Sequence, residues 1–274
     1  MFSLVNGHEM KLSKYLPNVL LSRILKILSL RYLIKSDVTC FEIIKSIISN
    51  QNIEKKGYTL SNYGVWMLSN YLDKTFQLSI LGYRNTLEKI LLSVNKQLIF
   101  IDIGANQGIF SLIASKNKNF IEIHAFEPNL NLITHLESNF NRNKVDNFII
   151  HKVAIGSRTG SVPFFALERH SGTGRLSAET SNMHVTCANR DYLDKVFAKC
   201  EKSYFIKIDV EGGEYEVLKE LFNSRIKLNI KYIFIEIDIE LSQEDVLIAT
   251  LRSNGFYEVR RIGGKVHYDA LYIR

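Results

Sequence analysis

The chain contains few of the residues that cross-link, divide or anchor a protein. Its 274 residues include only three cysteines, and these form no CxxC pair and no Cys/His cluster. This scarcity argues against a disulfide framework or a structural zinc site and favours a reducing compartment. With only three prolines, the chain has no proline-rich linker. The N-terminus lacks the layout of a signal peptide, so we expect a cytoplasmic protein.

The sequence also lacks an uninterrupted apolar run of the length that a membrane span needs. The most apolar helical pattern, Asn18–Lys35, is broken by two arginines and a lysine, whereas a span needs about 20 mainly apolar residues. Residues 1–60 carry nine basic and four acidic side chains; nine minus four leaves +5 of the net charge of +7. We predict a basic helical extension over residues 1–56, either docked on the catalytic core or in peripheral contact with the inner membrane surface.

Strand and helix patterns alternate along the rest of the chain. Predicted strands are Leu98–Ile103, Ile121–Phe126, Phe148–Val153, Tyr204–Asp209 and Tyr232–Asp238. Predicted helices are Phe41–Ser49, Asn85–Ser93, Gln107–Lys116, Leu130–Asn141, Glu214–Leu221 and Gln243–Ser253. Near-continuous apolar strands that alternate with helices are typical of a parallel sheet covered on both faces. Near the C-terminus, two strand-like runs flank Gly263 and Gly264, which predicts a hairpin and antiparallel last strands.

The stretch FIDIGANQGIFS, Phe100 to Ser111, joins a buried-looking strand to a helix through a turn of small residues. Gly104 and Gly108 let the backbone turn tightly and approach a ligand closely. Asp102, just before the turn, can accept a hydrogen bond from an ammonium group or from an amide of the turn. The spacing differs from the GxGxxG dinucleotide motif and lacks the GK[ST] ending of a phosphate-binding loop. The pattern fits a ligand site, or a tight turn that binds nothing.

The next strand ends in EIHAFEPN, with Glu127 at its carboxyl edge and Pro128 at the start of the following turn. In a doubly wound sheet, ligands lie beyond the carboxyl ends of the strands, and an acid there can accept hydrogen bonds from the two hydroxyls of a ribose. Alternatively, Glu127 caps the following helix, because acids favour the first turn.

Further acids follow two later strands at the same predicted edge. Asp209 and Glu211 border a glycine pair, and Glu236 and Asp238 face one way from a neighbouring strand. Carboxylates are rarely buried unpaired, and acids at converging strand ends usually mark a site. We therefore predict that Asp209 and Glu236 handle the proton of an acceptor group, with Glu211 in reserve. The same two acids could instead hold a bound Mg²⁺.

Two weaker patterns could contribute to substrate binding. The polar stretch HSGTGRLS, His170 to Ser177, is predicted to be a mobile loop that covers the substrate, with His170 as another possible base. Four aromatic residues could line a sugar site, although core packing is the usual role of such a stripe. They are Tyr58, Tyr63, Trp66 and Tyr71.

Four motifs, in their order and spacing, resemble the FkbM family of S-adenosylmethionine-dependent methyltransferases. They are FIDIGANQGIFS, HAFEPN, HKVAIGSRTGSVPFF and FIKIDVEGGEYEVLKEL. The resemblance covers the chain from about Gly57 to the C-terminus. It implies an α/β domain over residues 57–274 with a seven-stranded, Rossmann-like class I methyltransferase sheet, and S-adenosylmethionine as the cofactor.

The resemblance also implies cofactor contacts. Five residues of the first motif would surround the methionine part of the cofactor: Asp102, Gly104, Ala105, Asn106 and Gly108. Glu127, followed by Pro128, would bind the ribose, while Val153 and Ala154 would lie near the adenine. Nothing is carried over to residues 1–56.

The family mostly methylates hydroxyls, often on sugars. We therefore expect an O-methyltransferase that acts on a hydroxyl of a carbohydrate-containing acceptor, such as a surface glycan, a glycolipid or a nucleotide-linked sugar. A nucleic-acid or small-metabolite methyltransferase is the enzymatic alternative, but the sequence shows no NPPY-type motif and no recognisable RNA-binding module, so no nucleic-acid partner is expected. A non-catalytic, membrane-associated scaffold that binds the cofactor is the other alternative. The presence of the four acids Asp102, Glu127, Asp209 and Glu236 argues against it.

Overall fold

The computed structural model of the protein describes residues 57–82, 85–198 and 201–274. The predicted basic extension over residues 1–56, with its helices at Asn18–Lys35 and Phe41–Ser49, lies outside the described residues. Within the described ranges, no helix is both long and apolar enough to cross a membrane.

Thirteen strands and seven α-helices make up the described part of the chain. The strands are β1 (Tyr58–Leu60), β2 (Trp66–Leu68), β3 (Leu98–Ile103), β4 (Phe120–Phe126), β5 (Phe148–His151), β6 (Ala154–Ile155), β7 (Gly160–Leu167), β8 (His170–Leu176), β9 (Met183–Ala188), β10 (Ser203–Ile208), β11 (Ile230–Asp238), β12 (Tyr257–Gly263) and β13 (His267–Ile273). The helices are α1 (Lys74–Leu81), α2 (Asn85–Ser93), α3 (Ile109–Ser115), α4 (Leu130–Arg142), α5 (Arg190–Val196), α6 (Glu214–Asn223) and α7 (Glu244–Ser253), with a 3₁₀ turn at Arg225–Asn229.

The central sheet has seven strands in the order β12-β13-β11-β10-β3-β4-β5. Strands β3, β4, β5, β10 and β11 run parallel to one another. Strand β13 pairs antiparallel with both β11 and β12. The predicted class I methyltransferase sheet, with antiparallel last strands, is therefore confirmed.

Two hydrophobic layers enclose this sheet. All six residues of β3 are buried, and the alternation along the strand sends Phe100 to one face and Ile101 to the other. Phe100 packs in a cluster with helices α1 to α4, whereas Ile101 packs in a second cluster with α5 to α7. Because both faces of the central strand β3 are covered, a ligand can approach this strand at its ends.

A smaller sheet, ordered β6-β9-β7-β8, is inserted in the chain between β5 and α5. The prediction of a mobile loop at His170–Ser177 is wrong, because residues 170–176 form β8 and pair with β7. Its glycines suggested a loop, but close packing explains one of them. A Cβ on Gly172 would lie 2.8 Å from Oγ1 of Thr75 on α1, and glycine in a strand often marks such a close approach.

The other predicted elements within the described ranges match the structure to within two residues at each end, and α2 coincides with its prediction. One small difference affects the site. Strand β10 ends at Ile208, one residue earlier than predicted, so Asp209 begins the loop beyond the strand. The loop residue Glu211 has a positive φ of 57°, which turns the chain towards α6.

Candidate active site

A cavity of about 360 Å³ opens at the carboxyl ends of β3, β4, β10 and β11. Parallel strands bring their carboxyl ends to one edge, so most of the predicted site residues meet here. Those that line the cavity are Gly104, Ala105, Asn106, Glu127, Pro128, Val153, Ala154, Asp209, Glu211 and Glu236. Asp102 and Gly108 are not part of the lining and lie behind the turn.

The turn after β3 depends on two glycines. Gly104 has a φ of 80°, and a Cβ there would lie 1.8 Å from the carbonyl oxygen of Asp209. Gly108, with a φ of 84°, is the N-cap of α3, and a Cβ there would lie 2.4 Å from Cδ1 of Leu136 on α4. Gly104 therefore brings the end of β3 against the end of β10, while Gly108 lets α3 pack closely on α4.

Glu127 is fixed by two backbone amides. Its Oε2 accepts a hydrogen bond from the amide of Asn106 at 2.8 Å, and its Oε1 accepts one from the amide of Asn129 at 2.9 Å. Burial raises the pKa of the Glu127 carboxyl to about 7, against the opposing effect of these two bonds. The cap of α4 is the side chain of Asn129, not Glu127. The carboxylate keeps lone pairs for further donors, so it can bind two neighbouring hydroxyls.

A buried lysine, Lys207 on β10, holds the turn and two neighbouring acids together. Its Nζ lies 3.1 Å from Oδ1 of Asp102 and 3.5 Å from Oδ2 of Asp209. The same Nζ donates a hydrogen bond to the carbonyl oxygen of Gly104 at 2.9 Å. Asp102 thus binds an ammonium group that belongs to this chain, and its other oxygen accepts a hydrogen bond from Ser111. Sequence reasoning missed Lys207, although the single lysine within the apolar strand FIKI is a visible signal.

The other end of the cavity carries a carboxylate–imidazole pair. Glu236 on β11 and His267 at the start of β13 both line the cavity, and Nε2 of His267 is hydrogen-bonded to Oε1 of Glu236. Strand β13 runs antiparallel to β11, so it begins where the parallel strands end. In this register Asp269 lies opposite Glu236, and Asp238 lies opposite His267. Sequence reasoning found Glu236 but missed His267, because the position of His267 depends on how the last two strands pair.

Comparison with known proteins identifies the family. The methyltransferase FkbM domain matches residues 102–258, which is more than half of the chain. The chain belongs to the FkbM methyltransferase family. It is therefore an enzyme of the methyltransferase class.

One characterised relative of this methyltransferase is the hexuronic acid methyltransferase AglP of Haloferax volcanii. The two are 26% identical over 166 residues, which are 60% of this chain and 66% of that protein, so the chain spans just under two thirds of the relative. Two solved structures also align with it at low identity. The ribosomal protein L11 methylase of Lactobacillus delbrueckii subsp. bulgaricus has a TM-score of 0.41 at 15% identity, over 76% of this chain and 81% of that one. M. jannaschii TYW2 in complex with AdoMet has a TM-score of 0.39 at 12% identity, over 80% and 87%.

A buried aspartate ties three parts of the methyltransferase together behind the cavity. Asp73, the N-cap of α1, accepts a hydrogen bond from the amide of Thr75 at 3.1 Å. It also accepts bonds from the amide and the hydroxyl of Ser171 on β8, at 2.9 and 2.6 Å. A fourth bond, at 2.6 Å, comes from Nε2 of Gln107 in the turn. The only local signal for Asp73 was an acid before a helical pattern.

His170 lines the same cavity from β8. Burial lowers the pKa of its imidazole, with a further contribution from Lys74. The strand thus forms part of the cavity wall, in place of the mobile cover that the sequence predicted.

The four aromatic residues divide between two roles. Tyr63 is buried and lines the cavity. Tyr58 and Trp66 instead lie against the guanidinium of Arg142 on α4, with centroid distances of 5.5 and 5.0 Å. Tyr71 packs edge-on against Phe76. Packing therefore explains three of the four aromatic residues, and Tyr63 is the one that lines the cavity.

The Mg²⁺ hypothesis finds no support in the described part of the chain. Across residues 57–82, 85–198 and 201–274, no three His, Cys, Asp or Glu side chains are grouped so that they could hold a metal ion. Asp209, one of the two acids considered for such a site, lies within 3.5 Å of the ammonium of Lys207.

Proposed function

We propose that this methyltransferase uses S-adenosylmethionine to methylate a hydroxyl of a carbohydrate-containing acceptor. The carrying observation is that one cavity has a fixed carboxylate, Glu127, at one end and a carboxylate–imidazole pair, Glu236 and His267, at the other. The first suits a ribose, and the second suits removal of a proton from an acceptor.

The residues at the first end fit the proposed cofactor. Glu127 would hold the two ribose hydroxyls, and the half-buried Val153 and Ala154 offer apolar surface to an adenine ring. The backbone of Gly104 and Ala105, which carries no large side chain, would lie along the methionine part. Asp102 and Gly108 then support this turn and do not touch the cofactor. When bound, S-adenosylmethionine supplies a methyl group that is already activated by the sulfonium charge.

The charges at the second end favour a neutral acceptor group. Asp209, Glu211 and Glu236 line the cavity there, beside one ammonium, that of Lys207. The excess of negative charge repels a carboxylate or phosphate placed at the point of transfer. An ionised acceptor also needs no base, whereas a sugar hydroxyl does. A positioned base contributes about 10²–10⁴-fold in rate. We therefore propose a neutral hydroxyl as the methylated group, with Asp209 and Glu236 as residues that handle it and Glu211 in reserve.

The sugar class of the acceptor rests on the relative. AglP is a hexuronic acid methyltransferase, and the proposed acceptors, a surface glycan, glycolipid or nucleotide-linked sugar, belong to the same broad chemistry. The proposed product can be distinguished by measurement from the other product that a uronic sugar could give. A hydroxyl gives a methyl ether, whereas a uronic carboxylate would give a methyl ester.

The test uses the full chain, S-adenosylmethionine with a ¹³C-labelled methyl group, and a panel of p-nitrophenyl hexosides and hexuronides. We expect a labelled product whose methyl group survives treatment with alkali, as an ether does. A methyl group lost in alkali would show ester formation and contradict the proposed hydroxyl. Label transferred to RNA, with none on any sugar, would contradict the sugar acceptor.

A further inference from the structure

We propose that His267 is the general base of the reaction and that Glu236 orients its ring. This inference rests on the proposed function, because a hydroxyl acceptor needs a base and an ionised carboxylate does not. The sequence predicted that carboxylates take the proton of the acceptor. We assign that role instead to an imidazole at the start of β13.

Strand register places His267 beside the other acceptor-side groups. Ile208, the last residue of β10, pairs with Ile235 of β11. Asp209 and Glu236 are therefore the next residues of the two chain segments at the same edge of the sheet. Side chains two residues apart share a face of a strand. His267 reaches Glu236 across the diagonal of the antiparallel pair, a distance that long side chains cover. The imidazole therefore lies at the same edge of the sheet as Asp209, and both residues line the cavity.

The hydrogen bond to Glu236 sets the tautomer. A carboxylate only accepts hydrogen bonds, so Nε2 of His267 carries the proton that Glu236 accepts, and Nδ1 carries the basic lone pair. The Glu236 side chain is 11% exposed and the His267 side chain is 51% exposed. The buried Glu236 thus holds the imidazole of His267, and the imidazole remains accessible to an acceptor, as a general base requires.

The carboxylates are weaker candidates for the base. Asp209 lies 3.5 Å from the ammonium of Lys207, and a nearby positive charge favours the ionised carboxylate and makes it a poorer proton acceptor. Glu236 already accepts the hydrogen bond from His267. An unperturbed imidazole also binds a proton about two pH units more tightly than a carboxylate does.

The proposed step balances in atoms and charge. The acceptor oxygen forms a bond to the methyl carbon while the carbon–sulfur bond breaks and its electron pair remains on sulfur. The O–H proton moves to Nδ1 of His267. Glu236 stabilises the resulting imidazolium, and the half-exposed ring then releases the proton to water.

The acids described around the ring favour this imidazolium, and the ammonium of Lys207, which lines the same cavity, opposes it. On β11, Glu236 is bonded to His267 and Asp238 lies opposite it in register. On β13 itself, Asp269 lies two residues further on, and from the loop after β10 Asp209 and Glu211 line the same cavity. The ring must be neutral to act as a base, so kcat should rise with pH and then level off.

The test compares kcat of the full chain and three variants on the hexoside that the wild type methylates best. His267→Gln should lower kcat by about 100-fold or more and leave the dissociation constant of S-adenosylmethionine within about threefold. It should also abolish the acid limb of the profile of kcat between about pH 5 and 8. Glu236→Gln should shift that limb to lower pH, because the anion that stabilises the imidazolium is gone. His184→Gln, an exposed histidine on β9, is the matched control and should change nothing.

Several outcomes would overturn the assignment. A His267→Gln variant with wild-type kcat, or with the wild-type acid limb, would show that another group takes the proton. A ¹⁵N spectrum of the wild-type protein with the His267 proton on Nδ1 would do the same, and this measurement needs neither an acceptor nor a folded variant. Failure of the proposed function looks different, because then the wild type itself would form no alkali-stable methyl product on any hexoside or hexuronide.

Discussion

The carbonyl oxygen of Asp209 occupies the position where a side chain on Gly104 would begin. A Cβ built on Gly104 would lie 1.8 Å from that oxygen. The loop that follows β10 is therefore pressed against the turn that follows β3, and the two ends of the cavity share one contact. The effect of this contact on the stability of the fold can be measured by comparison with a second glycine.

Gly104→Ala should destabilise the protein by about 2–5 kcal/mol, because the new methyl group meets backbone and the positive φ is strained for alanine. Gly160 is a matched control, since its φ is 90° but a Cβ there meets nothing within 4 Å. Gly160→Ala should cost only the conformational strain, about 1–2 kcal/mol. Urea unfolding measures both. Equal losses in the two variants would mean that the contact with Asp209 yields easily.

Glu127→Ala should weaken the binding of S-adenosylmethionine by about 1.5–3 kcal/mol, the usual contribution of hydrogen bonds to a charged group. Calorimetry measures the change. Glu137→Gln on the exposed side of α4, where Glu137 pairs with Lys152 at 3.0 Å, is the control and should leave the affinity unchanged. Unaltered affinity in Glu127→Ala would remove Glu127 from the cofactor site.

The pKa of Glu127 also predicts how cofactor affinity depends on pH. Burial raises this pKa to about 7, and only the ionised carboxylate accepts bonds from both ribose hydroxyls. The carboxyl is mostly protonated at about pH 6 and mostly ionised at about pH 8, so affinity should rise by about tenfold over that range. Glu127→Gln should flatten the dependence. The same titration in the unliganded protein acts in the opposite direction on folding. Because the carboxyl pKa is raised from 4.5 to about 7, stability falls as pH increases from about 4.5 to about 7.

Asp73→Ala should destabilise the fold by about 3–5 kcal/mol, because it removes a helix cap and leaves buried donors without an acceptor. Asn189→Ala offers a comparison in which only a cap is lost, since Asn189 caps α5 by accepting a bond from the amide of Asp191. That variant should lose about 1 kcal/mol. Denaturant unfolding of both proteins gives the difference. A loss for Asp73→Ala no larger than that for Asn189→Ala would show that its bonds to Ser171 and Gln107 add nothing.

A truncation that begins at Gly57 should remain folded and bind the cofactor. We propose that residues 57–274 form the catalytic unit and that residues 1–56 position the protein or its acceptor. Packing supports a start well before residue 102, because Phe76 of α1 and Leu87 of α2 are fully buried in the core cluster of the sheet. Calorimetry and circular dichroism test the truncation. A folded fragment without cofactor affinity would place part of the binding site upstream of Gly57.

Some residues of the candidate site could be placed from the sequence and others could not, for a physical reason. Glu127 and Gly104 follow strands whose apolar runs are plain in the sequence, and the carboxyl ends of parallel strands share one edge. Their meeting at the cavity could therefore be expected from local patterns alone. His267 reaches the same edge because its strand runs the other way, and that position requires the pairing partner and the register.

The other features that could not be predicted depend on contacts between residues far apart in the sequence. Asp73 bonds to Gln107 and Ser171, which are 34 and 98 residues away, and no periodicity reports such contacts. In β8, glycine at position 172 indicated a loop because glycine usually serves turns. Here it accommodates the side chain of Thr75, which no local pattern could show.

Lys207 has a thermodynamic consequence for the two proposed ligands. Its ammonium group touches Gly104 on the cofactor side and Asp209 on the acceptor side, so a displacement of one partner changes the interaction with the other. Linkage then requires reciprocity: the factor by which a bound acceptor changes the affinity for S-adenosylmethionine equals the factor by which S-adenosylmethionine changes the affinity for the acceptor. The enzyme would therefore bind its two substrates with an energetic coupling to which Lys207 contributes, together with the direct contact between Gly104 and the carbonyl of Asp209.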